Sequence, residues 1–448
     1  MFQGRLAELI DDRPEDGVFR INRAIFDDPE IFELEMQRIF EGGWVFLGLA
    51  AQAPAPHDFF TTQISRTPVL VMRDGGGALR AFVNACPHKG ARLAQTQSGN
   101  ARVHVCAYHS WSFDSAGCNK NIKWKKAGCY ASAFDDDSHD LARLPAFEAY
   151  RGFLFGSLSA AVPPLTEYLG GAAKLLDLVA DQSAEGLELV PGGVTFTYNA
   201  NWKLQLENCS DAYHFTSAHP SYLRVLEMRK EAPDPTTARS VWENSQAWSE
   251  AAQGVQGGSY SFDHGHVLNW GVIGVSDALP LYERAGEIAE RVGEAARDWM
   301  FNMRNLTIFP NLQIAENASS QLRVIRPLSA NRTEMRTWCL APKGESAAAR
   351  RQRIRSYEDF FNPSGMATPD DTVSYENCQQ GFASRVQPWL QGYARGMTAS
   401  RTGGNALGDT IGLQPARNVL SDAVLCDETL YHSYYREWAR RMAGALQS

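Results

Sequence analysis

Two short segments of this chain, Cys86-Pro-His88 and Cys106-Ala-Tyr-His109, are separated by seventeen residues, and each offers one thiolate and one imidazole. An unequally ligated two-iron cluster needs that set, because both Cys must hold one iron and both His the other. Tetrahedral zinc is the rival, since two Cys and two His also satisfy it. Zinc fingers usually place two Cys on one knuckle and two His on a helix. Here each loop mixes the two ligand types, which favours the cluster.

A second constellation lies in Asn201-Trp-Lys-Leu-Gln-Leu-Glu207-Asn208-Cys-Ser-Asp211-Ala-Tyr-His214, followed by His219. If residues 201 to 217 are helical, Glu207, Asp211 and His214 fall at i, i+4 and i+7, a polar stripe on one face. His214 and His219 are five apart and share a face only if the helix distorts before His219. Pro220 supplies the distortion, because the residue before proline is pushed out of the α region. Two imidazoles then converge on one metal; the alternative is two unrelated histidines.

Thr368-Pro369-Asp370-Asp371 offers the third ligand. Proline followed by acidic residues starts a helix, and one carboxylate suffices to cap it. Asp370 is read as cap or as support for a ligand, and Asp371 as ligand. Two His and one carboxylate make the facial triad of mononuclear non-haem iron, with positions left open for oxygen and substrate.

The elements around these residues are those that rigid ligand loops require. Pro68 to Arg73 is an apolar β-forming run, Asp74-Gly-Gly-Gly77 a turn, and Leu79 to Asn84 leads into the first knuckle. Val103 to Val105 feeds the second knuckle and Trp111 to Phe113 leaves it. His104, out of pattern, reads as a strand histidine. Residues 43 to 158 are strand-rich. Helices are predicted over Glu30 to Phe40, Leu165 to Val179, Ala285 to Met303, Ser346 to Phe361, Asp371 to Gly381 and Asp427 to Ala443. Strands are predicted over Val194 to Tyr198, Leu306 to Ile314, Leu322 to Arg326 and Met335 to Leu340. The organisation is therefore residues 1–42, a helical part of the catalytic domain; 43–158, the cluster domain; and 159–448, the remainder of the catalytic domain.

Together these segments resemble the large (α) subunit of Rieske non-haem iron aromatic-ring-hydroxylating oxygenases. The resemblance runs from FRINRAIFDDPEIFELEMQRIFEGGWVFLG through NWKLQLENCSDAYH to the paired Asp. RNLTIFPNLQI (Arg304 to Ile314), QLRVIRP (Gln321 to Pro327) and the N-terminal segment look most like the benzoate, anthranilate and ortho-substituted benzoate dioxygenase branch. Lys89 stands where that family usually has Arg, keeping the charge but not the guanidinium fork. The resemblance implies an α+β fold, an all-β Rieske domain inserted in a helix-grip (START-like) catalytic domain with an antiparallel sheet.

It also implies the chemistry: a [2Fe-2S] cluster on Cys86, His88, Cys106 and His109, and Fe(II) on His214, His219 and Asp371. Asp211 becomes the coupler that bridges His214 to the cluster ligand His109 of a neighbouring subunit, the plainer reading being an acceptor that only orients His214. Such a bridge closes naturally as a ring, and the family implies α3 or, with a small β subunit, α3β3. Asn208, Met303, Asn305, Ala315, Ala318, Phe361 and Ala367 fall at pocket positions. Arg224, Arg304 and Gln321 are candidate partners for a substrate carboxylate.

The implied activity uses O2 and NADH electrons to hydroxylate an aromatic ring, most simply cis-dihydroxylation of a benzoate-type carboxylate. No strand-associated Gly-x-Gly-x-x-Gly fingerprint is present, so NADH enters through a separate reductase, with or without a ferredoxin. A second reading is monohydroxylation or demethylation of an aromatic acid, such as salicylate-type hydroxylation. A third, from another class, is a pure Rieske electron-transfer protein, which would need no His-His-Asp site.

The composition agrees with an intracellular enzyme. At 448 residues and 44% hydrophobic content the chain can bury large cores. Lys and Arg total 43 against 51 Asp and Glu, net −8, which argues against nucleic acid as a partner. No apolar run approaches the about 18 residues of a membrane span, the N-terminus has no signal core, and a cytoplasmic location is expected. The six Cys outside the cluster pair read as small buried hydrophobes, not as a disulfide framework.

Overall fold

The computed structural model describes residues 8–229, 256–384, 386–422 and 426–444. The first seven residues of the N-terminal stretch considered above lie outside these ranges. The chain divides into two compact units, Phe40–Leu165, and Met1–Ile39 with Thr166–Ser448. The exchange points lie a few residues outside 43 and 158 because pairing continues past them. The Leu158 amide donates to the Glu41 carbonyl (3.1 Å) and Trp44 Nε1 to the Pro163 carbonyl (2.8 Å).

The continuous unit is built from antiparallel strands. Leu79–Val83, Thr67–Arg73, Asp58–Ile64 and Ser98–Asn100 form one sheet in that order; Asn119–Asn121, Ser112–Asp114 and Val103–Val105 form a second. Their core gathers Leu70, Met72, Phe82, Trp111 and Phe113 with Cys86 and Cys106.

The discontinuous unit is organised on a large antiparallel sheet. Its order is Leu187–Leu189, Arg332–Pro342, Ser320–Ser329, Leu312–Glu316, Met303–Ile308, Val267–Gly271, Gln256–Ser261, Arg417–Asp422 and Arg401–Thr402, with Val194–Tyr198 also pairing Arg332–Pro342. Helix Trp202–Cys209 packs on the strands Met303–Ile308 and Ser320–Ser329, and helix Thr368–Phe382 packs on Trp202–Cys209 in turn. A buried glutamine pair pins helix to sheet: Gln205 Nε2 donates to Gln313 Oε1, and Gln313 Nε2 to the Gln205 carbonyl, each at 3.1 Å. Glu35, fully buried, accepts from Lys203 Nζ (2.6 Å), Trp202 Nε1 (2.8 Å) and Trp438 Nε1 (2.6 Å). A carboxylate so deep is tolerable because both of its oxygens are engaged, Oε1 by Lys203 and Trp438 and Oε2 by Trp202.

Several predicted helices are shorter than their hydrophobic periodicity suggested. Residues 165–179 divide into Leu165–Leu169 and Ala173–Ala180 around Gly170, whose φ is +47°. Ala285–Met303 divides at Gly293 (φ +89°) into Ala285–Val292 and Glu294–Met300, and Met303 begins a strand. Leu306–Ile314 is two strands joined across Phe309-Pro310-Asn311, since proline has no amide for the ladder. The stretch 201–217 is not one helix either. It ends at Cys209, because Asp211 Oδ1 takes the amides of Tyr213 (2.6 Å) and His214 (3.2 Å), offering the backbone an alternative to the helical ladder.

Candidate functional site: two metal centres

The knuckles repeat one backbone device. Cys86 N donates to Ala91 O (2.8 Å) and Gly90 N to Cys86 O (2.8 Å); Cys106 N donates to Trp111 O (2.8 Å) and Ser110 N to Cys106 O (2.9 Å). Gly90 (φ +73°) and Ser110 (φ +60°) hold the left-handed position that reverses each loop. The His88 and His109 rings lie 4.4 Å apart between centroids, and Trp111 stacks on His88 at 4.8 Å. Cys86 and Cys106 are both buried and neither is in a disulfide. Burial, with the neighbouring Cys106 thiol adding to it, pushes the Cys86 thiol up, and burial lowers His88, which keeps its imidazole neutral as a ligand must be. His109 Nδ1 is buried with no hydrogen-bond partner among the described residues. Two buried thiols and an orphaned ring nitrogen fit an iron–sulfur cluster.

In the other unit, ligand atoms of His214, His219 and Asp371 all lie within 4.8 Å of one another. The sequence sets this up by interruption. The break at Asp211 frees His214 from the first helix; the short helix Phe215–Ala218 then ends at His219 (φ −113°, ψ 36°), just before Pro220 opens the helix Pro220–Arg229. Asp371 Oδ1 lies 3.2 Å from His219 Nε2 and 3.4 Å from His214 Nε2. The opposite ring nitrogens meet carboxylates too, His219 Nδ1 facing Asp370 Oδ2 at 3.3 Å and His214 Nδ1 facing Asp211 Oδ2 at 3.3 Å, the latter without closing a hydrogen bond. Each imidazole thus turns Nε2 inward and is backed by an acid, the usual support for a metal-binding histidine. Asp370 does not cap its helix, whose N-cap is Ala367, without a side-chain bond.

The electrostatics suit a cation. Burial opposes a charge on His214, but Asp211 and Asp371 override it and hold that imidazole up at about 10. Burial alone would raise Asp371; the two imidazoles instead hold it well below the usual carboxylate range. Two His and one carboxylate with an open side are the donor set of non-haem Fe(II). Asn208 Nδ2 also reaches the ligand atoms, 3.1 Å from His214 Nε2 and 3.0 Å from Asp371 Oδ1.

A cleft half open to solvent, about 640 Å³ with the open solvent counted, adjoins the triad. Asn208, Asn305, Ala315 and Ala318 line it; Met303, Phe361 and Ala367 do not. Phe361 and Ala367 are buried in the same cluster as Ala315, Ala318 and Phe360, and Phe360, one residue before Phe361, takes the lining place. Of the proposed carboxylate partners, Arg224 is exposed, Arg304 is buried against Glu316 (2.5 Å), and Gln321 accepts from Arg323 Nε. The cation on the cavity wall is Arg323, stacked on Phe361 at 5.3 Å. Its position was readable, since Gln321 and Arg323 are two apart on one strand and share a face. Asn317 and Phe215, also lining, lie in a turn and beside His214, where periodicity is silent. Among the described residues no helix is long and apolar enough to cross a membrane.

Comparison with known proteins bears on both centres. Residues 43–134 match the Rieske [2Fe-2S] domain, which sets zinc aside, and residues 176–444 match the ring hydroxylating alpha subunit (catalytic domain), which a pure electron-transfer protein would lack. The chain is 40% identical to the toluate 1,2-dioxygenase subunit alpha of Pseudomonas putida, over 98% of this chain and 94% of that protein. It is 38% identical to the 2-halobenzoate 1,2-dioxygenase large subunit of Burkholderia cepacia, over 99% and 93%. A solved structure of naphthalene 1,2-dioxygenase bound to phenanthrene superposes with a TM-score of 0.80 at 28% identity, covering 97% of this chain and 94% of that one. The mixed α+β fold is thus shared, and a cluster domain joined to an iron-binding catalytic domain identifies the chain as a member of the ring hydroxylating α subunits, Rieske non-haem iron oxidoreductases.

Proposed function

We propose that this chain is the large, oxygenating subunit of a dioxygenase acting on a benzoate-type aromatic acid. The observation that carries the reading is the cavity that adjoins His214, His219 and Asp371, walled by Ala315, Ala318 and Phe360 with polar groups at Asn305, Asn317 and Arg323. Small aliphatic and aromatic side chains suit one ring, and the few polar groups suit one anionic substituent. The similar proteins named for toluate and 2-halobenzoate support the acid.

The overall reaction adds both atoms of O2 to adjacent ring carbons and consumes two electrons and two protons, the electrons coming from NADH through a reductase, with or without a ferredoxin. Iron at the triad would supply oxygen binding and reduction, and the cluster would supply electrons one at a time. In this reading Cys86, His88, Cys106 and His109 hold the cluster, and His214, His219 and Asp371 hold iron. Asp370 and Asp211 fix the two imidazoles in the tautomers that present Nε2 inward. Asp211 also couples His214 to His109 of a neighbouring subunit in an α3 or α3β3 ring in the cytoplasm. The cavity's apolar wall sheds water from the ring's faces and orients one edge toward the triad.

The test is product analysis with the cognate reductase, NADH and isotopically labelled O2 over benzoate, ortho-substituted benzoates, toluene and naphthalene. A cis-diol of an acid carrying two labelled oxygens is the expected product. Incorporation of one atom, or preference for naphthalene, would overturn the reading.

A further inference from the structure

The direction of one hydrogen bond inside the cavity assigns a recognition group. Asn317 lies in the turn between the strands Leu312–Glu316 and Ser320–Ser329, and its Oδ1 accepts the backbone amide of Ala318 at 2.5 Å. A backbone N–H can only donate, so it fixes which end of the Asn317 amide is oxygen. The other end, Nδ2, therefore faces Asn305 and donates to Asn305 Oδ1 at 3.1 Å. Asn305, on the strand Met303–Ile308, is oriented in its turn: its oxygen is occupied, and its Nδ2 carries two protons with no protein acceptor among the described residues. Both asparagines line the cavity that His214, His219 and Asp371 also line.

We propose that Asn305 donates from Nδ2 to a carboxylate oxygen of the aromatic acid, with Asn317 as the positioning residue that keeps those protons turned into the cavity. The inference rests on the aromatic-acid reading above. A donor-only group beside the apolar side chains of Ala315, Ala318 and Phe360 is left unpaired by a hydrocarbon and satisfied by an anion, so it selects as well as binds. The competitor for this role is Arg323, whose guanidinium lines the same cavity while its Nε is committed to Gln321 Oε1.

The test uses the holoenzyme with reductase. Benzoate binding is measured by calorimetry, and kcat/KM is measured for benzoate and toluene. Asn305→Leu keeps the side-chain size and removes the donor; Kd for benzoate should rise about tenfold or more, the scale of one hydrogen bond to a charged acceptor, and the benzoate-to-toluene ratio of kcat/KM should fall with it. Asn317→Leu is the sharper arm. It adds no charge and removes the donor that holds the Asn305 oxygen, so the Asn305 amide is free to turn and benzoate affinity should fall although Asn305 is intact. Iron content and cluster absorbance report whether each variant is folded and loaded.

Unchanged benzoate affinity in Asn305→Leu overturns the inference while leaving the acid reading standing, as does a loss confined to Arg323→Gln. Wild-type enzyme that treats benzoate and toluene alike overturns the acid reading and this inference with it.

Discussion

His219 stands between two adjacent carboxylates, its Nδ1 3.3 Å from Asp370 and its Nε2 3.2 Å from Asp371. Consecutive residues at the start of one helix therefore grip opposite edges of one imidazole, and their roles separate by which edge they touch. Asp371→Ala and His214→Ala should each abolish turnover and bound mononuclear iron while leaving the visible absorbance of the cluster. Asp370→Asn should keep iron but weaken it by about 10–100-fold, the usual cost of losing a ligand's supporting partner. Iron titration of the chelated protein measures both. Equal iron loss in Asp370→Asn and Asp371→Ala would refute the division of labour.

Asp211 divides its two oxygens between backbone and imidazole, Oδ1 accepting from the amides of Tyr213 and His214 and Oδ2 facing His214 Nδ1. Asp211→Asn preserves shape and the backbone bonds but removes the charge, so both metals should remain bound while cluster oxidation during a single turnover slows by orders of magnitude. Rapid mixing of reduced enzyme with substrate and O2 gives that rate. Oxidation at the wild-type rate would take Asp211 out of the electron path.

Glu35 and Lys203 are buried 2.6 Å apart, with Trp202 and Trp438 donating to the same carboxylate. Replacing Glu35 with Gln leaves the Lys203 ammonium without its counter-charge, and the expected loss is about 3–5 kcal/mol. Trp438→Phe removes one donor only, for about 1–3 kcal/mol. Chemical denaturation resolves the two; a Glu35→Gln protein as stable as wild type would show that Lys203 is paired some other way.

Glu207 is partly buried, accepting from Tyr393 Oη (3.0 Å) and Tyr435 Oη. Burial raises its carboxyl and these hydroxyls lower it only part of the way, so it stands at about 7; the groups facing it are Asp211, which raises it, and Lys203, which lowers it. Its unfolded value is that of an ordinary glutamate. Between roughly pH 4.5 and pH 7 the folded state therefore holds a proton that the unfolded state has lost. Stability from this group is full below that window and falls as pH rises through it, by on the order of 3 kcal/mol. Glu428 shifts the same way, to about 7, and contributes in the same window. Glu207→Gln should flatten the descent and be more stable than wild type at pH 8. Denaturation curves from pH 5 to 8 decide it, and parallel pH profiles for the two proteins would contradict the assignment.

Ligand chemistry was the most legible part of this chain. Cys86, His88, Cys106 and His109, and then His214, His219 and Asp371, stand out because few other chemistries need those residue types at those intervals, and Pro220 announced the break that turns His219 inward. Helix lengths were less legible: hydrophobic periodicity runs on through Gly170 and Gly293, whose left-handed backbone ends the helices there. Asp211 likewise looked like one step of a helical stripe, whereas its carboxylate competes for backbone amides and stops the helix. Pocket lining was least legible, because whether Phe360 or Phe361 faces the cavity turns on a single residue at a helix end, and Asn317 acts from a turn that has no period.

The cluster-bearing unit is one unbroken stretch, so its hydrogen-bond network can close as soon as residue 165 has been made. The other unit is assembled from both sides of that stretch, and Glu35 meets its last donor, Trp438, 403 residues later. A growing chain therefore has every residue of its electron-storing unit long before the helix that leads to His214 has all the partners that seat it. Separations of this size make such closure slow. Over that interval every residue of the cluster unit is present while the scaffold of the second site still lacks Trp438.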